Sequence, residues 1–219
     1  MSGLALAVVL VVIAVGLLMG WRALTRRVEL PCPPQFTWLL ENRAMERAAG
    51  SKLLLDRAGI APGMDVLDAG CGPGRLTLPL AERVGEHGSV VALDLQEGML
   101  SRLRARLEEK GVAHVRTLRG ALGSGVLPAG AFDRALLVTV LGEIPDRVAA
   151  LREILGSLKP GGTLSLTEVF PDPHYQSRST VRRLAEQAGF EVRETHGNWR
   201  AFTINLTRPA DALVDGSGS

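Results

Sequence analysis

The segment Asp65-Val66-Leu67-Asp68-Ala69-Gly70-Cys71-Gly72-Pro73-Gly74-Arg75 holds three glycines at alternate positions, preceded by an acid. Glycines lack a Cβ, so the backbone can turn sharply and a ligand can approach its amides closely. A dinucleotide fingerprint would place the third glycine at position 75, which is Arg75; the spacing here is G-x-G-x-G. The dinucleotide form aims a helix N-terminus at a pyrophosphate. Asp68, just before the loop, repels an anion and suits a cation instead. The expected ligand is a nucleoside carrying positive charge, and a nicotinamide oxidoreductase is disfavoured. A simpler reading competes: Asp68 caps the loop, Asp94 caps a helix, and the glycines serve only the turn.

A second group of reactive side chains lies further along. Glu143 falls in Val138-Thr139-Val140-Leu141-Gly142-Glu143-Ile144-Pro145, after an expected fourth strand. Glu168, Asp172, His174 and Tyr175 crowd a proline-stiffened loop after an expected fifth strand. A carboxylate, imidazole or phenol at such strand ends can move a proton of a bound substrate, which makes Glu143, His174 and Tyr175 the catalytic candidates. Glu168, Asp172, Trp38 and Asn198 are the candidates for substrate contact. Salt bridges, caps and loop hydrogen bonds are the competing roles of Glu143 and His174, and His196-Gly197-Asn198-Trp199 also reads as a hairpin turn.

The elements that must position these residues alternate. Strands are expected over 65–69, 90–94 and 115–119, with helices over 75–84 and 96–110 between them. A strand over 134–140, a helix over 146–158, a turn at Lys159-Pro160-Gly161-Gly162 and a strand over 163–169 follow. A helix over 179–188 and strands over 190–195 and 201–206 close the domain. Short apolar runs such as ALLVTV are typical of strands buried on both faces of a parallel sheet. The expected architecture is a Rossmann-like three-layer α/β/α sandwich with a seven-stranded, mostly parallel sheet whose last strand is antiparallel.

With those placements, DVLDAGCGPGRLT followed by VVALDLQEGML resembles motifs I and II of class I S-adenosylmethionine-dependent methyltransferases, and LKPGGTLSLTE resembles the same family's fifth-strand signature. The resemblance runs over 56–207 and is nearest the ubiquinone/menaquinone methyltransferase-like group. It implies S-adenosyl-L-methionine as cofactor, with Gly70, Cys71, Gly72 and Gly74 beneath its methionine moiety and Asp68 near its amino group. It places Asp94 on the ribose hydroxyls, where two carboxylate oxygens suit paired donors, and Leu95 and Met99 beside the adenine. Gly120, Ala121, Leu122 and Thr139 complete the implied cofactor contacts. One position departs from the pattern: Arg119-Gly120-Ala121-Leu122 stands where the family shows Gly-Asp-Ala, so the acidic contact to the adenine amine is missing. Backbone groups of Ala121 or Leu122 are the expected replacement. The resemblance implies an enzyme that performs an in-line methyl transfer, for which a base is optional.

The 25 basic and 23 acidic residues are dispersed, giving a net charge of +2 and no face for nucleic acid. Cys32 and Cys71 belong to no C-x-x-C pair or Cys/His cluster, so free thiols and no metal are expected. Residues 4–19 read LALAVVLVVIAVGLLM, and with their neighbours make about 20 uncharged residues, enough to span a bilayer. Arg22, Arg26 and Arg27 follow, which places the remainder in the cytoplasm by the positive-inside rule. The expected organisation is a transmembrane anchor at 1–22, a basic, proline-rich linker at 23–35, two helices at 36–58 broken near Gly50-Ser51, the catalytic domain at 59–208 and a tail at 209–219. A single-pass protein with the bilayer as partner favours a lipid or amphipathic acceptor, with phospholipid amine head groups and isoprenoid quinone rings as the two possibilities. Small hydrophobic thiols or other xenobiotics are the alternative substrates. A non-catalytic S-adenosylmethionine-binding membrane protein is the alternative of another class. Oligomeric state is not legible.

Overall fold

A computed structural model of the chain describes residues 50–210. The sheet begins with β1 (Asp65–Ala69), β2 (Ser89–Asp94), β3 (Val115–Arg119) and β4 (Phe132–Val138). It is completed by β5 (Leu158–Val169), β6 (Glu191–Gly197) and β7 (Ala201–Thr207), in the order β3-β2-β1-β4-β5-β7-β6. Every pairing among β1 to β5 is parallel, and β7 runs antiparallel to both β5 and β6. The seven-stranded, mostly parallel sheet with an antiparallel last strand is as the sequence predicts. Central strands β1 and β2 are buried on both faces, with apolar side chains in their middles apart from Asp68. The two edges alternate exposed charge with half-buried positions, Arg116 and Arg119 on β3 and Glu191 and Glu194 on β6, which guards them against further pairing.

Helices cover both faces. On one side lie α1 (Ser51–Arg57), α2 (Thr77–Val84) and α3 (Glu97–Glu109). Leu54, Leu55, Leu80 and Val84 of α1 and α2 pack on Val66, Val90 and Leu136, and Leu100 and Leu103 of α3 pack on Ala92. On the other side α4 (Arg147–Ser157) and α5 (Arg178–Ala188) bury Leu151, Ile154, Val181 and Ala185 against Leu67, Ala135, Leu166 and Ile204. Asp146 caps α4 by accepting from the Ala149 amide at 2.9 Å, Ser177 caps α5, and Gly189 ends α5 in the left-handed conformation.

Two expectations change. Lys159-Pro160-Gly161-Gly162 is not a turn; β5 passes through it, and the pairing with β4 shifts register between Phe132 and Arg134. A bulge-like irregularity in this pairing absorbs the proline and glycines. The single-pass membrane location is also corrected: among the described residues no helix is long and apolar enough to cross a membrane. The apolar segment 4–19, the linker, the helix expected before Gly50, Trp38 and Cys32 lie outside the described residues.

Candidate active site

At the carboxyl end of β1 the chain meets the switch in strand order, where β2 and β4 flank β1 on opposite sides. Open parallel sheets bind their ligands at such a crevice. Gly70, Gly72 and Gly74 all have positive φ, at 74°, 53° and 92°, a region costly for side-chain-bearing residues. A Cβ on Gly70 would collide with Val140 and one on Gly74 with Leu103, so these two glycines let β4 and α3 close on the loop. A Cβ on Gly72 would meet nothing within 4 Å, so the middle of the loop faces open space.

Two carboxylates frame this loop. Asp68 is 3% exposed and accepts from the Thr77 hydroxyl, on the first turn of α2, at 2.7 Å. Burial raises its carboxyl to about 6, against the pull of the Thr77 hydrogen bond and the Arg75 charge. The group is therefore mostly ionised at neutral pH and holds a buried negative charge beside the loop. Asp94, ending β2, accepts from the Gly72 amide at 2.9 Å through Oδ2 and from the Gln96 amide at 2.8 Å through Oδ1. Asp94 thus ties the glycine loop to the start of α3, and each oxygen keeps a second lone pair.

The other cofactor candidates lie at or just beyond the carboxyl ends of β1 to β4. Leu95 is 55% exposed beside Asp94, whereas Met99 is buried in the first turn of α3. The Gly120 amide donates to Asp94 O at 3.1 Å, which brings the end of β3 beside that of β2. Ala121 is exposed, and its carbonyl accepts from the Ser124 hydroxyl; Leu122 is half-buried against the core. Cys71 is buried, its amide bonded to Leu93 O, and burial pushes its thiol far up, so it acts as packing rather than as a thiolate. Thr139 has φ 57°, which marks a strained residue at the end of β4; its amide donates to Thr167 O at 2.9 Å.

The acceptor-side candidates gather one strand further on. Glu143 lies in a 3-10 turn, Leu141–Glu143, whose carbonyls at Leu141 and Gly142 accept from the Arg147 guanidinium at 3.2 and 3.0 Å. A Cβ on Gly142 would collide with the His174 carbonyl, so this turn and the loop after β5 are packed backbone to backbone. Asp172 Oδ1 accepts from the His174 amide at 2.7 Å, and His174 is buried. Tyr175 donates its hydroxyl to Trp199 O at 2.6 Å, and burial raises its phenol. Glu168 is 1% exposed; its Oε2 accepts from the Gln176 amide at 3.1 Å, and its Oε1 has no hydrogen-bond partner. Asn198 occupies the β6–β7 hairpin, where its Oδ1 accepts from the Arg200 and Ala201 amides. Thr77, Arg147 and Gln176, which hold Asp68, the 3-10 turn and Glu168, escaped the sequence reading. Nothing marks them except their place one or two residues inside a helix or loop boundary.

Among the described residues a cavity of about 450 Å³ opens at the amino ends of β1 to β4, lined by Asp65, Ser89, His114 and Arg116. It lies at the end of the sheet opposite the glycine loop. Parallel-sheet geometry and the loop's open backbone favour the crevice, not this cavity, as the ligand site.

The family described as "Methyltransferase domain" matches residues 66–162, from β1 into β5. The chain is 36% identical over 123 residues to nocamycin O-methyltransferase of Saccharothrix syringae, covering 56% of this chain and 44% of that protein. It is 35% identical over 114 residues to demethylmenaquinone methyltransferase of Lactococcus lactis, covering 52% and 45%. It is 32% identical over 142 residues to the ubiquinone/menaquinone biosynthesis C-methyltransferase UbiE of Shewanella woodyi, covering 64% and 55%. The matched region thus spans about half the length of these relatives. In fold, the chain is similar to a SAM-dependent methyltransferase from Aquifex aeolicus, with a TM-score of 0.74 and 24% identity over 81% of this chain and 99% of that one.

Proposed function

We propose that this chain, whose residues 66–162 match the family described as "Methyltransferase domain", is a class I S-adenosylmethionine-dependent methyltransferase that transfers a methyl group to an apolar aromatic ring acceptor of quinol type. The enzyme class and the methyl donor expected from the sequence are those of the matched domain. The observation that carries the reading is the crevice over Gly72. Its backbone is open above the loop, Asp94 is fixed on one side, and the buried charge of Asp68 lies beneath.

The residues fit the donor in charge as well as space. The donor supplies a methyl group made electrophilic by its sulfonium. Asp68 offsets positive charge at the loop without an exposed counter-ion, and Asp94 offers second lone pairs to hydroxyl donors. Gly70, Cys71, Gly72 and Gly74 present backbone to the donor, and Leu95 and Met99 provide the apolar wall for its base. The backbone at Gly120, Ala121 and Leu122 takes the place of the missing acid, and Thr139 closes the crevice beside β4. Methyl transfer is an in-line displacement, so most of the rate comes from holding nucleophile and methyl carbon in line. The strained end of β4, packed against the loop after β5, suits that task.

The quinol-type acceptor rests on the relatives named for demethylmenaquinone and for ubiquinone/menaquinone biosynthesis. It also rests on the aromatic cluster at the same end of the sheet. Phe170 and Trp199 are exposed, with ring centroids 5.7 Å apart, and Tyr175 meets Phe170 edge to face. His174 and Glu143 stand near this edge as candidates to take a proton from the acceptor; Tyr175, Asp172 and Asn198 shape the loops around it. The test is transfer of label from radiolabelled S-adenosylmethionine to reduced 1,4-naphthoquinone, phosphatidylethanolamine and thiophenol, offered separately. Labelled naphthoquinol supports the reading, and label confined to the amine or the thiol overturns its acceptor class.

A further inference from the structure

We propose that Glu168 is the group that positions the methyl acceptor, its Oε1 engaging an oxygen atom on the acceptor's ring. The inference rests on the methyltransferase reading above and adds the residue that would select an oxygen-bearing ring.

Glu168 lies on β5 opposite Phe202 of β7, one residue from the strand end. Side chains alternate along a strand, so Glu168 shares the face of Leu164 and Leu166, which pack on α4 and α5. Its neighbours there would ordinarily be apolar. Instead a carboxyl is 1% exposed, with one oxygen held by the Gln176 amide and the other without a partner. A buried polar atom left unmatched is costly, and a ligand that supplies the missing partner removes that cost. Neighbouring strands are about 4.8 Å apart, so Glu168 is one strand spacing from the strained end of β4, beside which the acceptor must meet the methyl group.

The charges around Glu168 set its form. Glu143 on the 3-10 turn and Asp172 on its own loop disfavour a further negative charge, while Arg147 of α4 favours one. Burial outweighs them all and pushes the carboxyl up to about 8. Tyr175 lies close enough to feel this group and Arg178. At neutral pH Glu168 is therefore mainly a carboxylic acid. Oε2 accepts from the Gln176 amide, which leaves the proton on Oε1 as a donor. A buried donor fits a ring oxygen bearing negative charge or a carbonyl oxygen, and an oxygen-free thiol offers it nothing comparable.

The test compares wild type, Glu168→Gln and Glu168→Met for methylation of reduced 1,4-naphthoquinone and of thiophenol, with donor affinity measured alongside. The Gln variant keeps a neutral donor, and its KM for the naphthoquinol stays within about threefold of wild type. The Met variant fills the space without a donor, raising that KM about tenfold and leaving donor affinity and the KM for thiophenol unchanged. Wild-type activity on the naphthoquinol falls as pH rises through about 8, and the Gln variant loses that fall. Equal naphthoquinol KM values in all three proteins overturn the role of Glu168 while the methyltransferase reading stands. Parallel losses with both acceptors and with the donor mean that Glu168 only holds the loop, and also overturn the proposal. A wild type that methylates neither probe and binds no donor overturns the underlying reading, and this inference with it.

Discussion

The amide of Gly72 donates to Oδ2 of Asp94 at 2.9 Å, joining the middle of the glycine loop to the end of the neighbouring strand. Because Asp94 Oδ1 also takes the Gln96 amide, the loop, the strand end and the first turn of α3 are one unit. The carboxylate's orientation is fixed before any ligand arrives, which lowers the ordering cost of binding.

Removing that carboxylate tests both of its roles. Asp94→Ala is expected to weaken S-adenosylmethionine at least tenfold, in line with the roughly 1.5–3 kcal/mol of hydrogen bonds to a charged group. The sheet core does not depend on this partly buried side chain, so a cooperative thermal transition remains. Calorimetric titration with the donor and a melting curve separate the two effects, and full donor affinity would place the ribose elsewhere.

Two glycines in one loop should respond differently. Gly70→Ala brings a Cβ against Val140 at a φ of 74° and is expected to destabilise the fold by about 2–4 kcal/mol. Gly72→Ala meets open space at a φ of 53° and costs only about 1–2 kcal/mol, from conformation alone. Its methyl group projects into the crevice, so donor affinity falls more than stability does. Denaturant unfolding paired with donor titration reads both.

Glu168 gives stability a pH dependence of known sign. Its carboxyl is raised from 4.5 to about 8 in the fold, so the folded state binds the proton more tightly than the unfolded chain. Its contribution is fully present below about pH 4.5 and is lost as pH rises through about 8. Relative to Glu168→Gln, the wild type should lose melting temperature between pH 5 and pH 9. Parallel curves for the two proteins would mean that the carboxyl titrates as it does in water.

The sheet was legible because β1, β2 and β4 are short apolar runs between glycine, proline and charged helices, and such runs have few other ways to bury both faces. The segment Lys159-Pro160-Gly161-Gly162 misled because proline and two glycines are turn residues, while the register shift that admits them into β5 depends on β4, far away in sequence. The glycine loop and Asp94 were readable because spacing and acid placement alone distinguish them. The setting of Glu168 was not. Its burial, its single bonded oxygen and the nearby Glu143 and Arg147 arise from the packing of the 3-10 turn onto the loop after β5, which juxtaposes residues more than twenty positions apart. Membrane placement rests on the apolar run 4–19 with its neighbours and on Arg22, Arg26 and Arg27, which lie outside the described residues; among the described residues no helix is long and apolar enough to cross a membrane.

The crevice over Gly72 is expected to bind a positively charged nucleoside and not a diphosphate. The deciding measurement is calorimetric titration of the purified protein with S-adenosylmethionine and, separately, with NADH. Saturable binding of the sulfonium compound, weakened by Asp94→Ala, with no heat from NADH is expected; binding of NADH with none of the sulfonium compound would overturn the assignment of the crevice.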